Sequence, residues 1–123
     1  MTKIEEINSF LQNRGYDLKK IKGYDPDSNI INKALNKQEA LEALDLYYHL
    51  KVPVLGGDVF YLNHKNEIGY TLDNWYFIKD EEESDDEFLK RSIEESASYI
   101  KNYTNNNFEN CIFLFDIVYK NPC

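Results

Sequence analysis

The residues of this chain that could take part in catalysis or binding are two histidines, some carboxylates beside glycines or aromatics, and a run of acids. His49 falls late in a helix-like segment and His64 in a turn-like one. General acid–base catalysis needs a partner within hydrogen-bond reach and a pKa near the working pH. Neither histidine has a nucleophile at a recognisable spacing. We interpret His49 as a cation at a helix C terminus and His64 as a solvated turn residue.

The segment Gly56-Gly57-Asp58-Val59-Phe60 interrupts an apolar run. Its letters are similar to the GGDEF signature of diguanylate cyclases, but those domains need a longer chain and further metal- and phosphate-binding residues. Glycine inside a strand usually marks a bulge or a close backbone approach. We expect a bulge here that turns Asp58 or Tyr61 toward a chosen face of the strand.

The cluster Asp73-Asn74-Trp75-Tyr76 has two interpretations. In the first, Asp73-Asn74 is a turn and Trp75 anchors the core at the start of a strand. In the second, Trp75 or Tyr76 is an exposed aromatic of the kind that dominates binding energy at interfaces. The sequence leaves both open.

The acidic run, residues 80–87 (DEEESDDE), holds seven acids and no base. Without it, the 22 acids and 14 bases of the chain become 15 and 14, so the net charge of −8 falls to −1. The acidity is therefore local. It fits a solvated helix N terminus, which the helix dipole favours, or docking to a basic partner. Direct binding to nucleic acid is disfavoured because no basic stripe is present.

Other patterns for catalysis or metal binding are missing from the sequence. It contains no GxSxG, P-loop, dinucleotide fingerprint or zinc-protease helix, and Cys111 and Cys123 form no CxxC pair. We expect no enzyme activity, no cofactor, no metal and no disulfide. There is no signal-peptide pattern and no apolar run near the roughly 18 residues of a membrane span, so we expect a cytoplasmic protein without a membrane partner.

The elements that must position these residues follow from periodicity and capping signals. Three helices are predicted to begin at capping boxes, and strands are predicted at 54–62, 67–72, 75–78 and 111–119. The last strand is apolar on both alternating sets except for Asp116, which predicts a central place in the sheet. Residues 16–33 are predicted to form a loop, with Leu18 and Ile21 in a short extended piece and a turn at 25–28. The prediction is one α+β domain, residues 1–123, with a small antiparallel sheet of about four strands packed with about three helices.

Three motifs in order carry a family resemblance: VLGGDVFYLN, then YTLDNWYF, then RSIEESASYIKNY after the acidic run. Together they resemble the immunity protein 40 family of bacterial polymorphic toxin and contact-dependent growth inhibition systems. The similarity runs from Glu39 to Tyr103 and includes the final strand, while the first 35 residues carry little of it. The resemblance implies a protein that binds and neutralises the C-terminal domain of a cognate toxin delivered by a neighbouring cell. Many such toxins are nucleases with basic clefts, so it implies a basic toxin, with a nuclease expected.

We expect the toxin-binding surface to use the acidic run for steering and residues before it for closer contacts. The expected residues are Asp58, Tyr61, Asp73, Trp75, Tyr76, Glu81, Glu82, Glu83, Asp85 and Asp86. Two other functions remain open: an intracellular adaptor or scaffold domain, and a small-molecule-binding module with a pocket lined by Tyr47, Tyr48 and Tyr61. The sequence leaves open the oligomeric state, the toxin's substrate, and whether inhibition plugs the active site or acts beside it.

Overall fold

A computed structural model describes residues 1–18 and 33–122 of the chain. The predicted turn at 25–28, Ile21 and Cys123 lie outside the described residues. The elements in chain order are α1 (Lys3–Gln12), β1 (Tyr16–Asp17), β2 (Lys33–Ala34), α2 (Lys37–His49), β3 (Val54–Leu62), β4 (Ile68–Tyr76), α3 (Asp85–Asn102), a short 3-10 helix (Asn106–Phe108) and β5 (Ile112–Tyr119). The predicted α+β class is confirmed.

The three α-helices begin where the capping signals predicted. In each, the N-cap side chain accepts from the backbone N–H three residues on, and the glutamate there accepts from the N-cap N–H. This reciprocal pair satisfies two N–H groups that would otherwise lack partners in the first turn. The N-cap and glutamate pairs are Thr2 with Glu5, Asn36 with Glu39, and Ser84 with Glu87.

The strands form a three-stranded antiparallel sheet in the order β4-β3-β5 and a separate β1-β2 pair. The predicted central place of the last strand is wrong, because β3 lies in the middle. On the outer edge of β5, among residues 1–18 and 33–122, Leu35 alone pairs with the strand, through two backbone hydrogen bonds to Phe115 of 2.7 and 2.8 Å. The apolar character of β5 on both sides has a different cause: residues on one face pack against the helices, and Leu114 on the other packs with Leu18 and Ala34.

The prediction of separate strands at 67–72 and 75–78, with a turn at Asp73-Asn74, is also wrong. A single strand, β4, runs from Ile68 to Tyr76. The strand continues through Asp73-Asn74 because its pairing with β3 is irregular there. The register to β3 shifts between Asp58 and Phe60, and Leu72 adopts a left-handed φ of 70°. The Thr71 hydroxyl donates to the Val59 carbonyl at 2.8 Å and accepts from the Asp73 N–H at 3.1 Å. These two bonds satisfy backbone groups that the irregularity leaves out of the ladder.

The sheet has two faces with different surroundings. The helix face, with Val59, Trp75, Phe115 and Ile117, packs against α1, α2 and α3 in the main core. The far face is turned away from the helices. At one end it carries a smaller buried cluster with Phe60, Leu62 and Leu114, and at the other it carries Asp58, Asp116 and Tyr76, by strand alternation and register.

The predicted bulge at the glycines is confirmed: the register between β3 and β5 shifts between Val54 and Gly56. The close backbone approach has a visible cause. A Cβ on Gly57 would lie 2.6 Å from Cζ2 of the Trp75 ring and 2.7 Å from the backbone oxygen of Asp116. The glycine therefore makes room for the indole on the helix face of the sheet.

Candidate functional site

The acidic run covers the loop between β4 and α3 and the first turn of α3. Asp85, Asp86 and Glu87 lie in that first turn, where unpaired backbone N–H groups and the helix dipole favour negative charge. All acids of the run except Glu83 are exposed. The geometry gives the run a defined position at the N-terminal end of α3.

The Glu83 carboxylate forms an ion pair within the protein. Its carboxylate accepts from Arg91 Nε at 2.7 Å and from the same guanidinium at 2.9 Å, and its side chain is only 11 % exposed. Arg91 also donates to the Ile78 carbonyl at 2.9 Å. These hydrogen bonds from Arg91 lower the pKa of Glu83 below its usual range. The Glu83–Arg91 pair therefore fixes the loop to α3, and its charge is compensated within the protein.

The acids that begin α3 have cations nearby. Asp85 lies 3.7 Å from Lys79 Nζ. Asp85 and Asp86 also line a cavity of about 420 Å³ whose rim holds Lys3, Lys51, Lys79 and Lys120. The lysines come from distant parts of the chain, so their grouping could not be predicted from the sequence. Part of the negative charge at the start of α3 is therefore balanced locally.

Glu81 and Glu82 have a different environment. Within residues 1–18 and 33–122, neither makes a hydrogen bond or an ion pair through its side chain. Together with Asp80, Glu83 and Glu87 they line a shallow, open depression that contains no lysine or arginine. The uncompensated part of the acidic run is therefore centred on Glu81 and Glu82.

Trp75 lies in the core. The residue is 8 % exposed, its Nε1–H donates to the Ser96 hydroxyl at 3.0 Å, and its ring centroid lies 4.6 Å from that of Tyr99. This arrangement matches the first of the two interpretations, in which Trp75 is a core anchor. The indole N–H, which needs an acceptor when buried, finds one on α3.

Tyr61 and Asp73 also face the helix side and make internal contacts. The Tyr61 ring stacks on Phe108 with centroids 4.7 Å apart. The Asp73 carboxylate accepts from the Tyr103 hydroxyl at 2.6 Å and from Asn105 Nδ2 at 3.0 Å. These contacts connect the sheet to the end of α3 and the segment that follows it. Both side chains therefore stabilise the fold.

Asp58 and Tyr76 lie on the far face, where Tyr76 is 74 % exposed. The strand register pairs Asp58 with Asn74 on one side and with Asp116 on the other. Asp116 was missed as a site residue, although the sequence signalled it as the one charged position in an otherwise apolar strand. The pKa of Asp116 is raised to about 7 by burial and by the nearby Asp58 carboxylate, and partial burial raises the pKa of Asp58.

The structure thus divides the expected residues among three places. Glu81, Glu82, Asp85 and Asp86 lie on the exposed surface at the start of α3, while Glu83 is bound to Arg91. Asp58 and Tyr76 are together on the far face. The other three, Tyr61, Asp73 and Trp75, lie on the helix side with internal partners.

The three tyrosines of the expected small-molecule pocket are not brought together, so that expectation is wrong. Tyr47 is buried and packs on Tyr119, with ring centroids 5.3 Å apart, while Tyr48 is 52 % exposed. Tyr61 lies at the other end of the β3–β5 ladder, opposite Phe113. His49 is the last residue of α2 and His64 lies in the β3–β4 turn, both exposed, as predicted.

In residues 1–18 and 33–122, no three side chains of His, Cys, Asp or Glu are grouped so that they could hold a metal ion. No helix in this part of the chain combines the length and the apolar character needed to cross a membrane.

Comparison with known proteins gives one match. The family model described as Immunity protein 40 matches residues 26–117, which is most of the chain and includes β3, β4, α3 and nearly all of β5. The match begins 13 residues before the similarity expected from the motifs. No match was found among the curated proteins or among the solved structures.

Proposed function

Since the chain belongs to the immunity protein 40 family, we propose that it binds the C-terminal domain of a cognate toxin and neutralises it by direct protein–protein contact. The family name implies an immunity protein against a toxin, and this membership is the observation that carries the proposal. The further proposal is that the toxin domain is basic and is a nuclease, and that inhibition occurs in the cytoplasm without catalysis by this chain.

Charge distribution supports a basic partner. The acidic run accounts for nearly all of the net charge, and its uncompensated members Glu81 and Glu82 project from a loop that Glu83 and Arg91 hold in place. A concentrated negative patch accelerates encounter with a positive surface by about 10- to 1,000-fold and makes the rate depend on salt. A fixed loop also avoids part of the ordering cost that a flexible acidic tail would incur on binding.

Steering and close contact need different residues. Exposed charges at the rim of an interface mainly change the association rate, while buried contacts mainly change the dissociation rate. We assign steering to Glu81 and Glu82, with smaller contributions from Asp85 and Asp86. Tyr76, exposed on the far face four residues before the run begins, supplies an aromatic contact next to Asp58.

The test uses the toxin domain encoded beside this gene, with purified proteins and stopped-flow association at several salt concentrations. The wild-type protein should bind and inhibit the toxin domain and should protect cells that express it. Glu81→Gln with Glu82→Gln should lower the association rate about tenfold at low salt and flatten its salt dependence.

Two variants with the same change in charge serve as controls. Asp85→Asn with Asp86→Asn should have a smaller effect, because Lys79 pairs with Asp85 and lysines line the cavity next to both acids. Glu94→Gln with Glu109→Gln, at exposed positions outside the run, should have little effect. Failure of the wild-type protein to bind the toxin domain would overturn the proposed function. Equal rates for all three variants would remove the acidic run from the encounter surface.

A further inference from the structure

We propose that Asp58 and Asp116 form a socket on the far face that receives one lysine or arginine side chain of the bound toxin domain. This inference rests on the proposed function and adds the chemistry of one contact to it. The socket lies on β3 and β5 and is separate in sequence from the acidic run. It makes a close contact in the complex, whereas the acidic run steers the two proteins together.

Strand register brings the two carboxylates together. Asp58 and Asp116 are direct partners across the β3–β5 pair, on the same face, and Asn74 is the partner of Asp58 on β4. Side chains directly opposite each other in an antiparallel pair have Cβ atoms about 4.5–5.5 Å apart, and like charges there destabilise the sheet. The free protein thus holds two acids at a spacing that one cation could bridge.

Asp116 has no partner among the described residues, although most of the residue is buried. It is 6 % exposed, yet among the described residues neither it nor Asp58 accepts a hydrogen bond or forms an ion pair through its carboxylate. Buried charged groups in proteins are almost always hydrogen-bonded or paired. The pKa of Asp116, raised to about 7, is consistent with this cost to its ionised form. The unpartnered Asp116 oxygens still reach solvent, since every fully buried side-chain N or O atom of the described residues has a hydrogen-bond partner. A cation from outside can therefore contact both acids.

The residues next to the two carboxylates suit a lysine or arginine side chain better than a free metal ion. On the same face, Tyr76 and Val118 flank Gly56, and both side chains are exposed. Aromatic and aliphatic surface of this kind suits the apolar stem of lysine or arginine, and Tyr76 adds a ring for a cation–π contact. A calcium ion would need about six or more oxygen ligands, which two carboxylates do not supply.

The decisive measurement compares binding to the adjacent-gene toxin domain by the wild-type protein and by variants. Asp58→Asn with Asp116→Asn should weaken binding by about 30-fold or more, mainly through faster dissociation, because the toxin's cation is left in the interface without its charged partner. The control Asp45→Asn, at an exposed position of α2, should bind like the wild type. Circular dichroism and urea unfolding should show that the double variant is folded and at least as stable as the wild type, since like-charge repulsion is removed.

A second readout needs no variant. In the wild-type protein, the Asp116 carboxyl carbon is titrated by NMR, free and bound to the toxin domain. A cation in the socket should lower the pKa of Asp116 in the complex by at least about one unit. If the wild type binds the toxin but its affinity is unchanged in the double variant, or the Asp116 pKa does not fall, the socket is overturned and the proposed function stands. If the wild type does not bind, the proposed function fails first, and the socket fails with it.

Discussion

Glu83 accepts two hydrogen bonds from the Arg91 guanidinium, at 2.7 and 2.9 Å, across the junction between the β4–α3 loop and the helix. Parallel hydrogen bonds between a guanidinium and a carboxylate are strong and directional. One member of the acidic run therefore positions the others, and the run has a structural part and an exposed part.

Replacing Glu83 by glutamine should lower stability, while the same change at Glu82 should not. Glutamine keeps the size of the side chain but loses the charge that Arg91 binds, and the loop then loses its attachment to α3. Urea unfolding of E83Q and E82Q, which have the same net charge, measures the difference. Equal midpoints for the two variants would show that the Glu83–Arg91 pair does not hold the loop.

Ser96→Ala should lower the free energy of unfolding by about 1–3 kcal/mol, because the buried Trp75 Nε1–H loses its acceptor. Ser98→Ala, on an exposed position of the same helix, is the matched control and should change stability by less than about 0.5 kcal/mol. Chemical denaturation followed by the fluorescence of the single tryptophan reports both values. A similar loss in the two variants would contradict the role of the indole hydrogen bond.

Gly57→Ala should destabilise the fold by about 1–3 kcal/mol, since the new methyl group would overlap the Trp75 ring and the Asp116 backbone oxygen. A double-mutant cycle separates these two clashes. In a Trp75→Phe background, the smaller ring leaves space, and the cost of the alanine should fall. If the cost is the same in both backgrounds, the clash with the backbone dominates and the close glycine–indole packing is not the reason for Gly57.

The pKa of Asp116 predicts how stability depends on pH. Its value of about 7 in the folded protein lies above the value near 3.9 of an unfolded chain. Between these values the folded state holds a proton that the unfolded state releases, so the free energy of unfolding falls as pH rises from about 4 to 7. At about 1.4 kcal/mol per pKa unit, the upper limit is about 4 kcal/mol.

Asp116→Asn should flatten this dependence and be more stable than the wild type above pH 7. Its titratable neighbours are Asp58 on β3 and the hydroxyl of Tyr47 on α2. Tyr47 stays protonated throughout this range because burial raises its pKa well above the usual value. Urea unfolding at pH 5, 6, 7 and 8 gives the two profiles. Parallel profiles would show that Asp116 ionises normally in the folded protein.

Much of the local structure could be predicted from the sequence. The capping boxes at Thr2, Asn36 and Ser84 were correct, because each depends on side chains only three residues apart. The bulge near Gly56 was also predicted, since glycine in a strand signals it directly. The break at Asp73-Asn74 was misread as a turn, because the bond from Thr71 to the Val59 carbonyl, which lets the strand continue, joins residues 12 positions apart.

The candidate site shows the same limit. The acidic run was visible as a composition, but its division was not. Glu83 is bound to Arg91, Asp85 pairs with Lys79, and Glu81 and Glu82 have no cation beside them. That division depends on Arg91 folding back from α3 and on lysines brought together from both ends of the chain. Likewise, two interpretations of Trp75 were open until the packing of α3 placed Ser96 within hydrogen-bond distance of the indole.

The α+β class, the helix starts, the local concentration of acid and the resemblance to the immunity protein 40 family could all be predicted from the amino-acid sequence. These properties reside in neighbouring residues or in ordered motifs, where short-range hydrogen bonds and side-chain periodicity decide the outcome. The central place of β3 and the pairing of Asp58 with Asp116 on one face, 58 positions apart in the chain, could be seen only in the folded protein. Strand register sets that pairing, and register is fixed by packing across the whole sheet, where a shift of one residue would move each side chain to the other face.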